Sequence, residues 1–314
     1  MELTGAVLAT RGDDVVLEAY GGVADPTTGA RCGPRSRFQI ASLSKQFAAA
    51  AVLLLVEDGV LALTDRLSDR LTDCPVAWAD ITLHHLLTHT SGLPHWDGIP
   101  DFDFDTPPPL AETVARITRC TPLTEPGHRW HYSSVGYVLT ALVVERASGS
   151  GYQDFLRERV IRPLGLVGTG VGAAPPADVA RGRRAGQTYD FQDLTTMPGT
   201  GDVWSTARDL ARWARALERG ALLAPDSLRA MFTTHFRQHQ QRPPLTVTGY
   251  GYGVFLGDLA GRPARFHDGH NIGYRSLLVR LPEQDASIVV LANDDDADPY
   301  ASVPDVARAL GLKP

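Results

Sequence analysis

The spacing of apolar and polar positions divides this chain unevenly, with strand-like sequence at its two ends and helix-like sequence between them. Thr4 to Thr10 and Asp14 to Tyr20 predict a short hairpin turned at Arg11-Gly12-Asp13. At the far end, Tyr250 to Leu259, Ala264 to His267, Arg275 to Leu281 and Ala286 to Ala292 predict four strands separated by Gly, Pro and Asp turns, and Val303 to Leu310 predicts a closing helix. Both ends are therefore expected to build one antiparallel sheet.

The middle reads as helical. Ile81 to Thr88, Leu110 to Arg119, Val135 to Ala147, Tyr152 to Val160 and Ala207 to Arg219 carry helical periodicity with caps such as Ser205-Thr206 and Gly149. Two stretches fit no element, Pro94 to Pro109 and Arg181 to Gly201, and loops of that length inside a compact domain are usually functional or mobile. With no repeat and no linker, the expectation is a single α/β (α+β) domain over 1–314. Residues 1–60 and 202–314 would form an antiparallel sheet flanked by helices, and 61–201 a mainly helical subdomain.

Earlier in the chain, Phe47 to Val56 (FAAAAVLLLV) is apolar on nearly every side and ends at Glu57-Asp58-Gly59, which predicts a buried helix. Lys45 stands at its head. Of the 30 Lys and Arg residues only Lys45 and Lys313 are lysine, so position 45 calls for something arginine cannot supply. An ammonium loses its proton when desolvated, whereas a guanidinium does not. Ser42 lies three residues earlier, a spacing that puts hydroxyl and amine on one helix face. Ser-x-x-Lys alone arises roughly once by chance in such a chain, but the sole lysine away from the C-terminus falls three after a serine only about one time in twenty. The pattern predicts a serine nucleophile with a neutral lysine as its base.

Composition leaves room for this chemistry and excludes other classes. The 314 residues are 43% hydrophobic and 21% charged, as in an ordinary globular protein. Net charge is -6 and no basic stretch is longer than the Arg181 to Arg184 cluster, which reads as a solvated loop, so nucleic acid is not expected as a partner. Cys32, Cys74 and Cys120 are odd in number and scattered, suiting a reducing compartment and offering neither disulfide framework nor zinc site. The N-terminus enters strand-like sequence directly and no apolar run reaches spanning length, so a cytoplasmic protein without membrane partner is expected. His85 and His89, and His235 and His239 if helical, have i, i+4 spacing but no accompanying carboxylate, so no metal is expected. Asp294-Asp295-Asp296 reads as a solvated turn.

A serine and lysine still need a second proton-handling group and donors for an oxyanion. Trp130-His131-Tyr132-Ser133-Ser134 places a tyrosine and two serines before a helix, and His267-Asp268-Gly269-His270 puts histidines and a glycine at a strand end. With Ser42-x-x-Lys45 in this order, and with His89-Thr90-Ser91-Gly92-Leu93-Pro94, Pro163-Leu164-Gly165-Leu166 and Trp204-Ser205-Thr206-Ala207-Arg208-Asp209-Leu210, the chain resembles the serine β-lactamase and penicillin-binding-protein superfamily from about Phe38 to Asn293. The nearest branch holds class C lactamases, D-alanyl-D-alanine carboxypeptidases and family VIII esterases.

The resemblance implies a β-lactamase/transpeptidase-like fold, Ser42 as the acylated nucleophile, Lys45 as its base, Tyr132 as proton relay and His267-Asp268-Gly269 as the third motif. It implies an oxyanion hole from the backbone N–H groups of Ser42 and His270, and substrate contacts at Ser134, Asp268, Gly269, Trp96 and Arg275. No cofactor is implied. Two departures bear on substrate. Ser134 replaces an asparagine of the family pattern, and His267, mostly neutral near pH 7, replaces a frequent lysine. Both weaken the case for penicillins and D-alanyl peptides and favour a small ester or amide, with Arg275 as a candidate replacement cation. Acyl transfer to another acceptor and a noncatalytic acyl-binding sensor are the competing functions.

Overall fold

The structure, a computed structural model, describes residues 4–173, 177–189 and 193–312. Met1 to Leu3, Lys313 and part of the Arg181 to Gly201 stretch lie outside them. The predicted N-terminal hairpin is present as β1 (Gly5–Arg11) and β2 (Asp14–Gly21). The C-terminal half adds β3 (Phe236–Arg242), β4 (Leu245–Tyr250), β5 (Phe255–Leu259), β6 (Arg262–Asn271), β7 (Tyr274–Leu281) and β8 (Ala286–Ala292). These eight form one antiparallel sheet in the order β3-β4-β5-β6-β7-β8-β1-β2. The two chain ends meet where β8 pairs with β1, Gly5 opposite Ala292 and Arg11 opposite Ala286.

The sequence reading missed the β3–β4 hairpin. FRQHQQR has no apolar alternation because β3 is an edge strand whose residues are mostly solvent-exposed. His239 lies on that strand and His235 just before it, so their presumed helical spacing does not exist.

Both faces of the central strands are covered, which is why they read as continuous apolar runs. Ala6, Leu8, Leu278, Val289 and Leu291 face the helical side, while Val7, Ala9, Leu277, Val279, Ile288 and Val290 pack with Val303 and Val306 of the closing helix Val303–Ala309 and with Leu310 just after it. On the helical side lie α1 (Ser44–Glu57), α2 (Leu83–Leu87), α3 (Leu110–Ile117), α4 (Ser134–Ser148), α5 (Tyr152–Leu156) and α6 (Ala207–Glu218). Ser44 through Leu55 of α1 are all buried, a consequence of its apolar circumference. Phe47 stacks on Trp213 of α6 at 4.0 Å between ring centres, tying α1 to the sheet-covering layer. Helix α2 ends at Leu87, so His89 lies beyond it with a left-handed φ of 58°, and the His85–His89 spacing is not helical either.

Candidate active site

Ser42 sits in the middle of a single 3-10 turn, Ala41–Leu43, that feeds directly into α1. Ala41 before it has a φ of 49°, a conformation that costs a residue with a Cβ roughly 1 kcal/mol or more. Neighbouring bonds hold it there. The Ile40 N–H donates to the Val203 carbonyl at 3.0 Å, and Ser276 Oγ donates to the Ile40 carbonyl at 2.7 Å. Strand β6 runs so close that a Cβ on Gly269 would stand 2.5 Å from the Ile40 oxygen and 2.4 Å from Ser276 Oγ. Glycine in the third motif is thus a packing requirement, since only a hydrogen allows the strand to lie against the serine turn.

One turn on, Lys45 is wholly buried. Its Nζ donates to Ser42 Oγ at 3.0 Å and to the Thr200 carbonyl at 3.1 Å. Desolvation lowers its pKa from 10.5 to about 7, against the opposing pull of the Asp202 and Asp268 carboxylates. Near neutrality a large share of the amine is unprotonated and able to accept the serine proton across the same contact.

Tyr132 closes the other side. Its ring centre is 5.0 Å from Lys45 Nζ. Burial raises the phenol pKa, while hydrogen bonds from Ser42 and Ser134 oppose the rise. The segment is fixed by the start of α4: Ser133 caps the helix by accepting from the Gly136 N–H at 3.2 Å and donates to the Pro94 carbonyl at 2.7 Å. The Ser134 N–H donates to His95 Nδ1 at 3.1 Å, so the neutral ring carries its hydrogen on Nε2.

His267 is buried and held in a chain whose donors can be assigned by elimination. The Ser133 N–H donates to His89 Nδ1 at 3.1 Å, leaving His89 Nε2–H to donate to Tyr250 Oη at 3.1 Å. Tyr250 then donates to His267 Nε2 at 3.2 Å, and His267 Nδ1–H donates to the Asp268 carbonyl at 2.6 Å. Burial lowers the His267 pKa to about 4. The ring is neutral, and both its nitrogens are engaged within the protein, so neither is left over for a substrate.

These groups meet at a cavity of ≈ 730 Å³ lined by Ser42, Tyr132, Ser134, His267, Asp268, Gly269, His270 and Trp96. Trp96 stacks on Phe102 at 4.8 Å, so the unassigned Pro94 to Pro109 stretch forms an aromatic wall. Arg275 is not among the lining residues. Its Nε donates to the Asp295 carbonyl at 2.8 Å, and the His270 imidazole turns to Asp295 Oδ1 at 2.5 Å. Asp295 is accordingly buried among Arg184, His270 and Arg275, not part of a solvated turn. The cation at the cavity is Arg242, from β3. It pairs with Asp268 at 2.6 Å and lies 4.3 Å over the Phe255 ring.

Sequence reasoning passed over Arg242, His95, Thr200 and Asp202. Glycines around Asp202 and the following Trp-Ser-Thr run marked a constrained turn, while Arg242 sits in polar sequence that carried no signal. Among the described residues no group of three or more His, Cys, Asp or Glu could hold a metal ion, and no helix is long and apolar enough to cross a membrane.

Comparison with known proteins identifies the family and the fold. The beta-lactamase family model matches residues 1–313. Penicillin-binding protein 4* of Bacillus subtilis is 28% identical over 95% of this chain and 70% of its own length, and penicillin-binding protein 4 of Amycolatopsis lactamdurans is 30% identical over 92% and 80%. Esterase EstB of Burkholderia gladioli is 35% identical over 55% of this chain and 48% of its own. Among solved structures, a penicillin-binding protein from Bacillus halodurans superposes with a TM-score of 0.83 at 29% identity, covering 98% of this chain and 96% of the other. A D-amino acid amidase from Ochrobactrum anthropi SV3 gives 0.83 at 26%, covering 98% and 92%.

Proposed function

Because this chain belongs to the beta-lactamase family and is a serine hydrolase of that superfamily, we propose that it forms an acyl-enzyme on Ser42 from a small ester or amide. The observation that carries the reading is the wholly buried Lys45 amine 3.0 Å from Ser42 Oγ. Neutral Lys45 takes the Ser42 proton as Oγ attacks the substrate carbonyl. The backbone N–H groups of Ser42 and His270 receive the developing oxyanion, and Tyr132, in contact with Ser42, passes a proton to the leaving group. The Lys45 ammonium restores the Tyr132 proton, and water then attacks the acyl group, its proton passing to neutral Lys45 and on to Ser42 Oγ as the acid departs. No cofactor enters these steps.

Several features support an uncharged substrate. Among the described residues that line the cavity, Arg242 is the sole arginine or lysine, and its charge is neutralised by Asp268. Asp97 lines the same cavity and is exposed. Trp96 and Phe102 offer an apolar wall for the acyl or leaving group, and Ser134, Asp268 and Gly269 line the same cavity. A second reading, carboxypeptidase or lactamase activity, is favoured by Arg242 alone, since a substrate carboxylate that displaced Asp268 would gain a cation. The same residues would serve acyl transfer to an alcohol or amine. For location we infer the cytoplasm, which suits three free cysteines.

Burst kinetics with a p-nitrophenyl ester, followed by intact-mass and peptide mapping, test the mechanism. An adduct on Ser42 with continued turnover is expected, and an adduct elsewhere or full activity in Ser42→Ala overturns it. One stoichiometric acylation without turnover would establish a sensor instead. For substrate, kcat/KM is compared between a short-chain ester and nitrocefin. Preference for nitrocefin would put the lactamase reading first.

A further inference from the structure

The loop Gly199 to Asp202 joins the site from 155 residues away in sequence, and its acid has no role in the steps above. The Thr200 carbonyl accepts one hydrogen of the Lys45 ammonium at 3.1 Å. Asp202 braces that loop, with Oδ1 accepting from the Gly199 N–H at 3.0 Å. Gly199 has a φ of 76°, and a Cβ there would stand 2.6 Å from the Tyr137 carbonyl oxygen, so the loop is pressed against α4 at a position that calls for glycine. The carboxylate itself is fully buried, and Oδ2 has no hydrogen-bond partner among the described residues.

A buried carboxylate with a bare oxygen is costly whether ionised or protonated, and a native fold keeps one where something offsets the cost. The charge facing it is Lys45. The other titratable group that feels its charge is the Tyr152 phenol, itself buried and without a hydrogen-bond partner among the described residues. Around Lys45 the remaining groups are the Asp268 carboxylate, the Tyr132 and Tyr137 rings, and the histidines 89, 95 and 267, all three kept neutral by burial. Asp268 already answers to Arg242 at 2.6 Å. Among the described residues, Asp202 is therefore the acid whose one opposite charge is the lysine.

We propose that Asp202 is a positioning residue that acts through Lys45: its carboxylate holds the turn presenting the Thr200 carbonyl to the amine, and its negative charge stabilises the ammonium formed when the Ser42 proton moves to Nζ. The step balances as a single proton transfer from Ser42 Oγ to Lys45 Nζ, and no bond to Asp202 is made or broken. The proposal rests on the Ser42–Lys45 reading given above. Burial pushes the Asp202 pKa up to about 7 and the Lys45 pKa down to about 7, so the two groups titrate in one window as a coupled pair.

The chain's lysine scarcity makes a direct test possible. Protein labelled with 13Cε-lysine has two lysine signals, from Lys45 and Lys313, and the one that titrates far below the ordinary lysine range reports Lys45. In Asp202→Asn the side-chain oxygen can still accept from Gly199 N–H, so a purely structural role predicts an unmoved Lys45 titration. The proposal instead requires the midpoint to fall by about one pH unit or more once the opposite charge is gone. The acid limb of kcat/KM for an uncharged p-nitrophenyl ester should move down with it, to a lower plateau because the base is weaker. An unmoved or raised midpoint overturns the proposal. If the variant does not fold, the wild-type titration decides: a broad two-step curve is expected of the coupled pair, and a simple one-proton curve overturns it. Absence of ester turnover in the wild type would count against the hydrolase reading, and the lysine titration would still report on Asp202.

Discussion

Replacing Lys45 with arginine preserves a long stem and a positive charge and removes the capacity to accept a proton. The size of the effect follows from burial. At a pKa of about 7, roughly half of Lys45 is neutral at pH 7, whereas at its ordinary 10.5 the neutral share would be about one in three thousand. Desolvation thus supplies about a thousandfold more base, equivalent to roughly 5 kcal/mol spent against the ammonium. A guanidinium with a pKa above about 12 is never usefully neutral. It also brings a wider head into a slot closed by Ser42 and Thr200. The acylation burst with p-nitrophenyl acetate should fall by at least about a hundredfold, toward the ten-thousandfold upper range for lost general-base help. A Lys45→Met variant, uncharged and similar in volume, should lose the burst equally, and circular dichroism should show both variants folded. A folded arginine variant with a near wild-type burst rate would refute the assignment of Lys45 as base.

Three further outcomes are expected. Wild-type acylation needs neutral Lys45, whose folded-state pKa is lowered to about 7, so the rate should be flat above neutrality and decline as pH falls through about 7; a profile still flat at pH 5 would contradict this. Tyr132→Phe should cut turnover by about a hundredfold or more with little change in melting temperature, because the ring still packs against His89 at 4.3 Å, and unaltered burst and steady-state rates would remove the tyrosine from the mechanism. Gly269→Ala should destabilise the fold by about 1–3 kcal/mol and depress acylation, since the new methyl meets the Ile40 carbonyl at 2.5 Å; a denaturant melt matching wild type would show that β6 can move away from the serine turn.

Much of the architecture was legible in the sequence because strands and helices are set by near neighbours. The continuous apolar runs of β7 and β8 signal strands covered on both faces, the all-round apolar stretch of α1 signals burial, and Ser42 and Lys45 meet because three residues of helical backbone bring any such pair together. Tyr132-Ser133-Ser134 at a helix start was visible for the same local reason, Ser133 being a good cap. The edge strand β3 escaped notice, since a strand facing water on most of its length needs no apolar alternation.

What the sequence by itself determined is the sheet built from both chain ends, the buried helix and the serine–lysine spacing. What only the tertiary structure decided is the electrical setting of that pair. Whether Arg242 or Arg275 reaches the cavity, whether Asp295 is solvated or enclosed, and which acid faces Lys45 are all settled by contacts between distant segments, 155 residues apart in the case of Lys45 and Thr200. The physical reason lies in range and medium. Backbone sterics and hydrogen bonding act within a few residues and leave a periodic trace in the chain, while a pKa depends on how much water is excluded and which charges remain nearby, quantities that exist only once the chain has folded.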